Sequence, residues 1–288
     1  MSTTILVLPR RALAVLAVVT AMLGLSLTAA PATAAERAWA PAASATIHPG
    51  VQMYTDGAQC TANFVFDDAG GNVYLGYAAH CAGLGGATDT NGCENDSLPL
   101  GTKVTFNEGG SLLTNGTQVG LGTLVYSSWR TMRAIGTRNS NACAANDFAL
   151  VRVHQADVGK VNPTVPFFGG PTGLGNGAAT GSQVHSYGQS SLRPTSVLSP
   201  KTGLSLGSTH AGWGLDVYTA TPGIPGDSGS GFINEKGRAI GTLSTVAIAP
   251  LAGSNGLGNL TRELAFARQH SGIDGLRLVK GGVFTPVP

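Results

Sequence analysis

Pro225-Gly226-Asp227-Ser228-Gly229-Ser230-Gly231 is the stretch on which the reading of this chain turns. It sets a serine between glycines, with an acid immediately before it. Glycine has no Cβ to block close backbone approach and takes positive φ without strain. A turn of this composition can expose the Ser228 hydroxyl while the Gly226 and Ser228 amides point at one spot, the geometry that binds a developing oxyanion. In a chain with 42 glycines the competing reading is a plain Gly/Ser turn. The heptapeptide alone does not separate the two.

Two further segments do. Gly76-Tyr77-Ala78-Ala79-His80-Cys81 closes a strand-like apolar run, and Asn146-Asp147-Phe148-Ala149-Leu150-Val151 puts an acid at the head of another. Acyl transfer by serine needs a hydroxyl that attacks, an imidazole that takes its proton, and a carboxylate that fixes the imidazole tautomer. The order His80, Asp147, Ser228 supplies all three. Ala-Ala-His-Cys, Asp-Phe-Ala-Leu and Gly-Asp-Ser-Gly-Ser-Gly together resemble the signature blocks of the chymotrypsin-like secreted serine proteases of bacterial type, over about residues 47–271. The resemblance implies an all-β fold of two antiparallel six-stranded β-barrels with a C-terminal helix. His80 and Asp147 would belong to the first barrel and Ser228 to the second, with the site in the cleft between them. Catalytic roles follow for His80, Asp147 and Ser228, with Gly226 as the second oxyanion donor and no cofactor.

Composition agrees with that class. Only 11% of residues are charged, and short β-branched runs alternate with Gly, Asn and Ser, which argues for strands over helices. Residues 1–34 read as a signal peptide: Arg10 and Arg11, an apolar stretch over 12–30, then Ala32-Thr33-Ala34 as a small-residue cleavage site. A retained anchor is the alternative, and the absence of a basic flank after the stretch argues against it. Removal of the segment takes the net charge from +2 to zero, since it carries two arginines and no acids. A neutral surface gives nucleic acid no footprint. Secretion, no membrane contact after signal removal, a protein or peptide substrate and a monomeric state are expected. Cys60, Cys81, Cys93 and Cys143 form an even set, read as two disulfides for which three pairings exist. The resemblance implies Cys60–Cys81 and leaves Cys93–Cys143, a bridge without a family counterpart. Oxygen-bearing side chains cluster over 89–96, where a solvated disulfide loop is favoured over a calcium site.

Along the chain, residues 35–46 read as a short disordered pro-segment or loose terminus, 47–160 as the N-terminal barrel and 161–288 as the C-terminal barrel with its helix. Strands are expected over 51–54, 62–66, 72–77, 102–106, 119–126 and 147–153, then over 183–187, 215–220, 231–234 and 239–248. A Pro/Gly-rich linker separates the two sets. Leu260, Leu264 and Ala267 recur at helical spacing, so 260–270 is the helix; residues 273–288 have no assignment.

The remaining candidates are weaker. His48, His154, His185, His210 and His270 lack the flanking signals of His80, and Asp157 and Asp216 are rivals to Asp147 without its buried neighbours. Asp227 has no cleavage-generated amino terminus to pair with, so an internal arginine, Arg193, is expected instead. Pro222 stands where trypsin-like members of the family carry an acid, which argues against a preference for Lys or Arg. Ser244 resembles the residue whose strand pairs with substrate. The main rival function is a catalytically quiet binding protein on a protease scaffold. A serine esterase is disfavoured, because Gly226-Asp227-Ser228-Gly229-Ser230 breaks the Gly-x-Ser-x-Gly spacing of the hydrolase elbow and Asp274 follows His270 instead of preceding it.

Overall fold

The apolar runs become strands of two sheets in the computed structural model, which describes residues 1–3, 37–85, 90–247 and 253–286. The expected signal sequence falls almost wholly outside the described residues. Among the described residues no helix is long and apolar enough to cross a membrane.

The first sheet is built from β1 (Gln52–Thr55), β2 (Ala58–Thr61), β3 (Val65–Asp67), β4 (Val73–Tyr77), β5 (Lys103–Glu108), β6 (Thr117–Ser127) and β7 (Ala149–Val153). Neighbours run in the order β3-β4-β7-β6-β5-β1-β2, all antiparallel. The run 62–66, expected as one strand, is bent. Ala62 N–H still bonds the Val51 carbonyl beside β1, while Asn63 N–H bonds the Gly76 carbonyl of β4. Residues 58–67 therefore pair with β1 at one end and β4 at the other, which closes a six-stranded barrel. Alternation along β7 sorts its side chains: Ala149, Val151 and Val153 enter the barrel core with Met53, Leu75, Val104, Phe106 and Leu124, while Leu150 faces outward into a second apolar cluster.

Two short helices that the sequence pattern does not reveal, α1 (Ser128–Ala134) and α2 (Ser140–Ala145), lie between β6 and β7. The second half contains β8 (Gly173–Leu174), β9 (Gln183–Tyr187), β10 (Pro200–Thr209), β11 (Gly214–Thr219), β12 (Gly231–Asn234), β13 (Arg238–Ala247) and β14 (Ser254–Asn259). The order β12-β9-β10-β11-β14-β13 returns to β12 by direct pairing, so this barrel is also closed with six strands, and β8 adds to β13 in parallel. Its core holds Val184, Leu215, Val217, Phe232, Ile240, Leu243 and Leu257.

Helix α3 (Leu260–His270) falls where the spacing predicts, capped by Asn259, with Leu260, Leu264 and Ala267 fully buried. It packs into the cluster that includes Phe64, Phe66 and Phe148 of the first half and Ile233 of the second. The unassigned tail forms β15 (Arg277–Leu278), which pairs with β3 of the first sheet. The expected all-β, two-barrel architecture with a C-terminal helix is the one observed.

Candidate functional site

Each signature residue sits at a break between regular elements. His80 lies in a single 3-10 turn, Ala79–Ala82, directly after β4. The Cys60–Cys81 disulfide joins that turn to β2. Asp147 lies between α2 and β7, outside the strand the sequence pattern assigned to it. Ser228 is in the tight turn ahead of β12, where Thr61 N–H donates to its carbonyl at 2.8 Å. That carbonyl is also 4.0 Å from Cys81 Sγ, so the serine loop of the second barrel abuts the histidine turn of the first.

The imidazole–carboxylate contact is complete. Asp147 Oδ2 is 2.6 Å from His80 Nδ1, and Asp147 Oδ1 accepts the His80 backbone N–H at 2.8 Å. Ser244 Oγ donates a third bond to Oδ2 at 2.6 Å. Burial alone would push the Asp147 carboxyl up, but the His80 charge and these hydrogen bonds outweigh it and hold the group below its ordinary value. For His80, burial favours the neutral ring, and the Asp147 carboxylate outweighs it to raise the imidazole above 6.5. Trp129 of α1 packs beside the ring, with centroids 6.2 Å apart. The loops that carry Ser228 and His80 abut, and among the described residues the Ser228 hydroxyl makes no hydrogen bond to His80; such contacts are often long before substrate arrives.

The serine turn is held from every side except the one that matters. Gly226 has φ +94°, and its carbonyl accepts from Thr61 Oγ1 at 2.8 Å and Gln59 Nε2 at 3.0 Å. Gly229 has φ +90°, and a Cβ there would lie 2.6 Å from the Thr61 carbonyl oxygen. The N–H groups of Asp227, Gly229 and Ser230 bond to the Ile224, Leu243 and Asp227 carbonyls. The Gly226 and Ser228 N–H groups donate to no protein group among the described residues. Two uncommitted amides flanking one hydroxyl are available to a ligand oxygen.

Beneath the turn, Asp227 is fully buried. Arg193 Nη2 lies 2.5 Å from its Oδ2, as expected from the sequence, and Lys201 Nζ, also fully buried, lies 3.0 Å away. Sequence reading missed Lys201, because nothing around Ser199-Pro200-Lys201 marks it as interior. It also missed Glu263, which is buried against Asp147 (3.2 Å from its amide). There the signal existed: Glu263 falls on the same helical stripe as Leu260, Leu264 and Ala267.

The other candidates stand apart. His154 Nε2 contacts Thr123, His185 Nδ1 contacts Thr202, and Asp157 is paired with Lys160. Cys93–Cys143 is formed. In the acidic loop Asp96 is bonded to Arg133 and Asn91 Oδ1 accepts the Cys93 N–H; Asp89 lies outside the described residues. Among the described residues the single His/Cys/Asp/Glu cluster with metal-like spacing is Cys60, His80 and Cys81, whose sulfurs are already joined to each other.

No protein-family model and no curated protein matches the sequence. Solved structures do. Protease A of Thermobifida fusca is 18% identical, with a TM-score of 0.50 over 82% of this chain and 99% of that one. Nocardiopsis protease is 19% identical at TM-score 0.46, over 81% and 98%. Cellulomonas bogoriensis chymotrypsin is 16% identical at TM-score 0.47, over 81% and 98%. At these identities the first likeness establishes the fold, the chymotrypsin-like pair of barrels.

Proposed function

We propose that this chain is a secreted serine endopeptidase that cleaves peptide bonds through an acyl-enzyme. The observation that carries the reading is the joint presence, at one inter-barrel seam, of a buried carboxylate bonded to His80 and a serine turn with two free amides. Ser228 Oγ attacks the scissile carbonyl as His80 Nε2 takes its proton. The Gly226 and Ser228 amides hold the oxyanion, and His80 returns the proton to the departing amine. Water then repeats the sequence on the ester. Asp147 keeps the Nδ1–H tautomer throughout, and no cofactor is required.

The substrate pocket is read as uncharged. Pro222 stands where an acid would select Lys or Arg, its carbonyl is taken by Arg193 at 2.7 Å, and Gly223 N–H bonds Asn255 Oδ1 at 2.8 Å. Asp227, beneath the turn, is paired with Arg193 and Lys201. The arginine and lysine on Asp227 also give the serine loop an internal charge partner, so activation would require only export and trimming.

Fluorophosphonate labelling with peptide mapping tests the reading. Stoichiometric adduct on Ser228, together with cleavage of peptides ending in Phe or Ala over Arg, is the expected result. An unlabelled folded protein would favour the quiet binding scaffold. A preference for Arg would overturn the pocket argument. The base must be neutral to act, so kcat/KM should be lost as pH falls through the raised His80 value. The midpoint of that acid limb is expected above 6.5; a midpoint well below it would mean that Asp147 does not govern the imidazole.

A further inference from the structure

Glu263 is a buried titratable group, in contact with Asp147, that the chemistry above does not use. It is fully buried in the first half of α3. Its Oε1 accepts the Asp147 backbone N–H at 3.2 Å, and its Oε2 lies 2.8 Å from Thr242 Oγ1 of β13. Thr242 Oγ1 in turn accepts Asn63 Nδ2, at 3.2 Å, from the bend between β2 and β3. The carboxyl is seated against bare backbone: a Cβ on Gly258 of β14 would fall 1.9 Å from Oε1. One side chain thus ties the C-terminal helix, the second barrel and, through Thr242, the first barrel to the residue that orients the imidazole.

Resting on the protease reading, we propose that Glu263 is a positioning residue for the reaction: it pins the Asp147 main chain from below, while His80 and Ser244 hold the Asp147 carboxylate from above. Asp147 is otherwise anchored through its side chain, and the side chain can aim only as well as its backbone is fixed. A shift of about 1 Å in such an anchor can cost about 10²-fold in rate.

The contact works as a neutral acid. Among the described residues, the titratable groups facing Glu263 are Asp147, with His80 behind it, and Tyr126 of β6, whose buried hydroxyl has no hydrogen-bond partner there. Thr242 of β13 and Gly258 of β14 bring no charge. Burial foremost, with the like charge of Asp147, pushes the Glu263 carboxyl up to about 8, so near neutrality it keeps its proton while Asp147 is ionised. Glutamine reproduces that state in shape and in both contacts; leucine keeps the volume and removes both.

The experiment compares Glu263→Gln, Glu263→Leu and Thr242→Val with the wild-type chain at pH 7 on a chromogenic peptide. Glu263→Gln should keep kcat within about threefold, whereas Glu263→Leu should lower kcat about 10–100-fold with KM within about twofold. Thr242→Val, a milder cut in the same chain of contacts, should lower kcat a few-fold, and it decides the matter if the leucine variant does not fold. The Nδ1–H proton resonance of His80 is the second readout and needs no turnover. It should be unchanged in the glutamine variant and shifted or broadened in the other two. Loss of kcat in Glu263→Gln equal to that in Glu263→Leu would overturn the proposal. So would wild-type kcat and resonance in Thr242→Val and in every leucine variant that folds. If the wild-type chain itself has no peptidase activity, the protease reading fails, and the resonance still decides whether Glu263 positions Asp147.

Discussion

Asp147→Asn is expected to lower kcat on a peptide substrate by about 10⁴-fold at neutral pH, with KM altered far less. Three hydrogen bonds converge on the Asp147 carboxylate, from His80 Nδ1 at 2.6 Å, His80 N–H at 2.8 Å and Ser244 Oγ at 2.6 Å. A carboxylate accepts all three. An asparagine amide has one acceptor oxygen and one donor nitrogen. If its nitrogen faces Nδ1, the ring must carry its proton on Nε2, and the nitrogen meant to deprotonate Ser228 is then already protonated. If its oxygen faces Nδ1, the nitrogen faces the His80 backbone N–H, which also donates. The charge that supports an imidazolium is lost in either orientation, so the raised proton affinity of His80 should fall and the acid limb should move to lower pH. Ser228→Ala removes the nucleophile and is expected to cost about 10⁶-fold. A residual rate above the uncatalysed reaction should persist in both variants, since the Gly226 and Ser228 amides are untouched. Steady-state kinetics on folded protein reads both effects. Retention of activity within about tenfold in either variant would remove that residue from the mechanism.

The sequence carries the proposed triad residues far better than it carries the sheets around them, and the difference is physical. His80, Asp147 and Ser228 sit at chain breaks where backbone demands select unusual residues: a disulfide cysteine, an acid before an apolar run, glycines at positive φ. Strand β14 shows the opposite. Ser254-Asn255-Gly256-Leu257-Gly258-Asn259 reads as a turn, yet it is a buried strand between β11 and β13. Its glycines are required by what packs against them, Thr245 Oγ1 against Gly256, and Glu263 with the sequence-distant Ala145 carbonyl against Gly258. Strand β10 is hidden for another reason. Much of it is half-exposed and polar, so the period-two apolar alternation that marks a half-buried strand is absent. Helices α1 and α2 have seven and six residues, too short for a helical period to register. Glu263 was legible only as an anomaly, an acid in an apolar stripe, and its meaning came from Asp147 lying above it.

Asp227→Ala should be among the most destabilising single substitutions in the chain, at about 3–5 kcal/mol. The carboxylate is fully buried and faces two cations, Arg193 at 2.5 Å and Lys201 at 3.0 Å. It also accepts the Ser190 and Ile224 N–H groups at 3.0 and 3.1 Å. Alanine would leave an arginine and a lysine buried side by side with no counter-charge, and two interior amides unpartnered. Burial foremost, opposed by Asp227 and abetted by Arg193, already lowers the Lys201 ammonium below its ordinary value. Without Asp227, Lys201 would give up its proton, which limits the loss but does not abolish it, because Arg193 stays charged. A loss of this size is a large share of the 5–15 kcal/mol typical of a whole domain, and corresponds to a fall in Tm of roughly 10 °C. Thermal denaturation near neutral pH measures it. Adding Lys201→Met to Asp227→Ala should recover part of the loss, since the two sites are in contact and cannot behave additively. Activity should fall further than stability in the single variant. Asp227 directly precedes Ser228, and its bonds to Ser190 and Ile224 fix the backbone that carries the Gly226 and Ser228 amides. A variant as stable as wild type would mean that the Arg193–Lys201 pair finds another anion or water, and that the serine turn holds its shape without the charge beneath it.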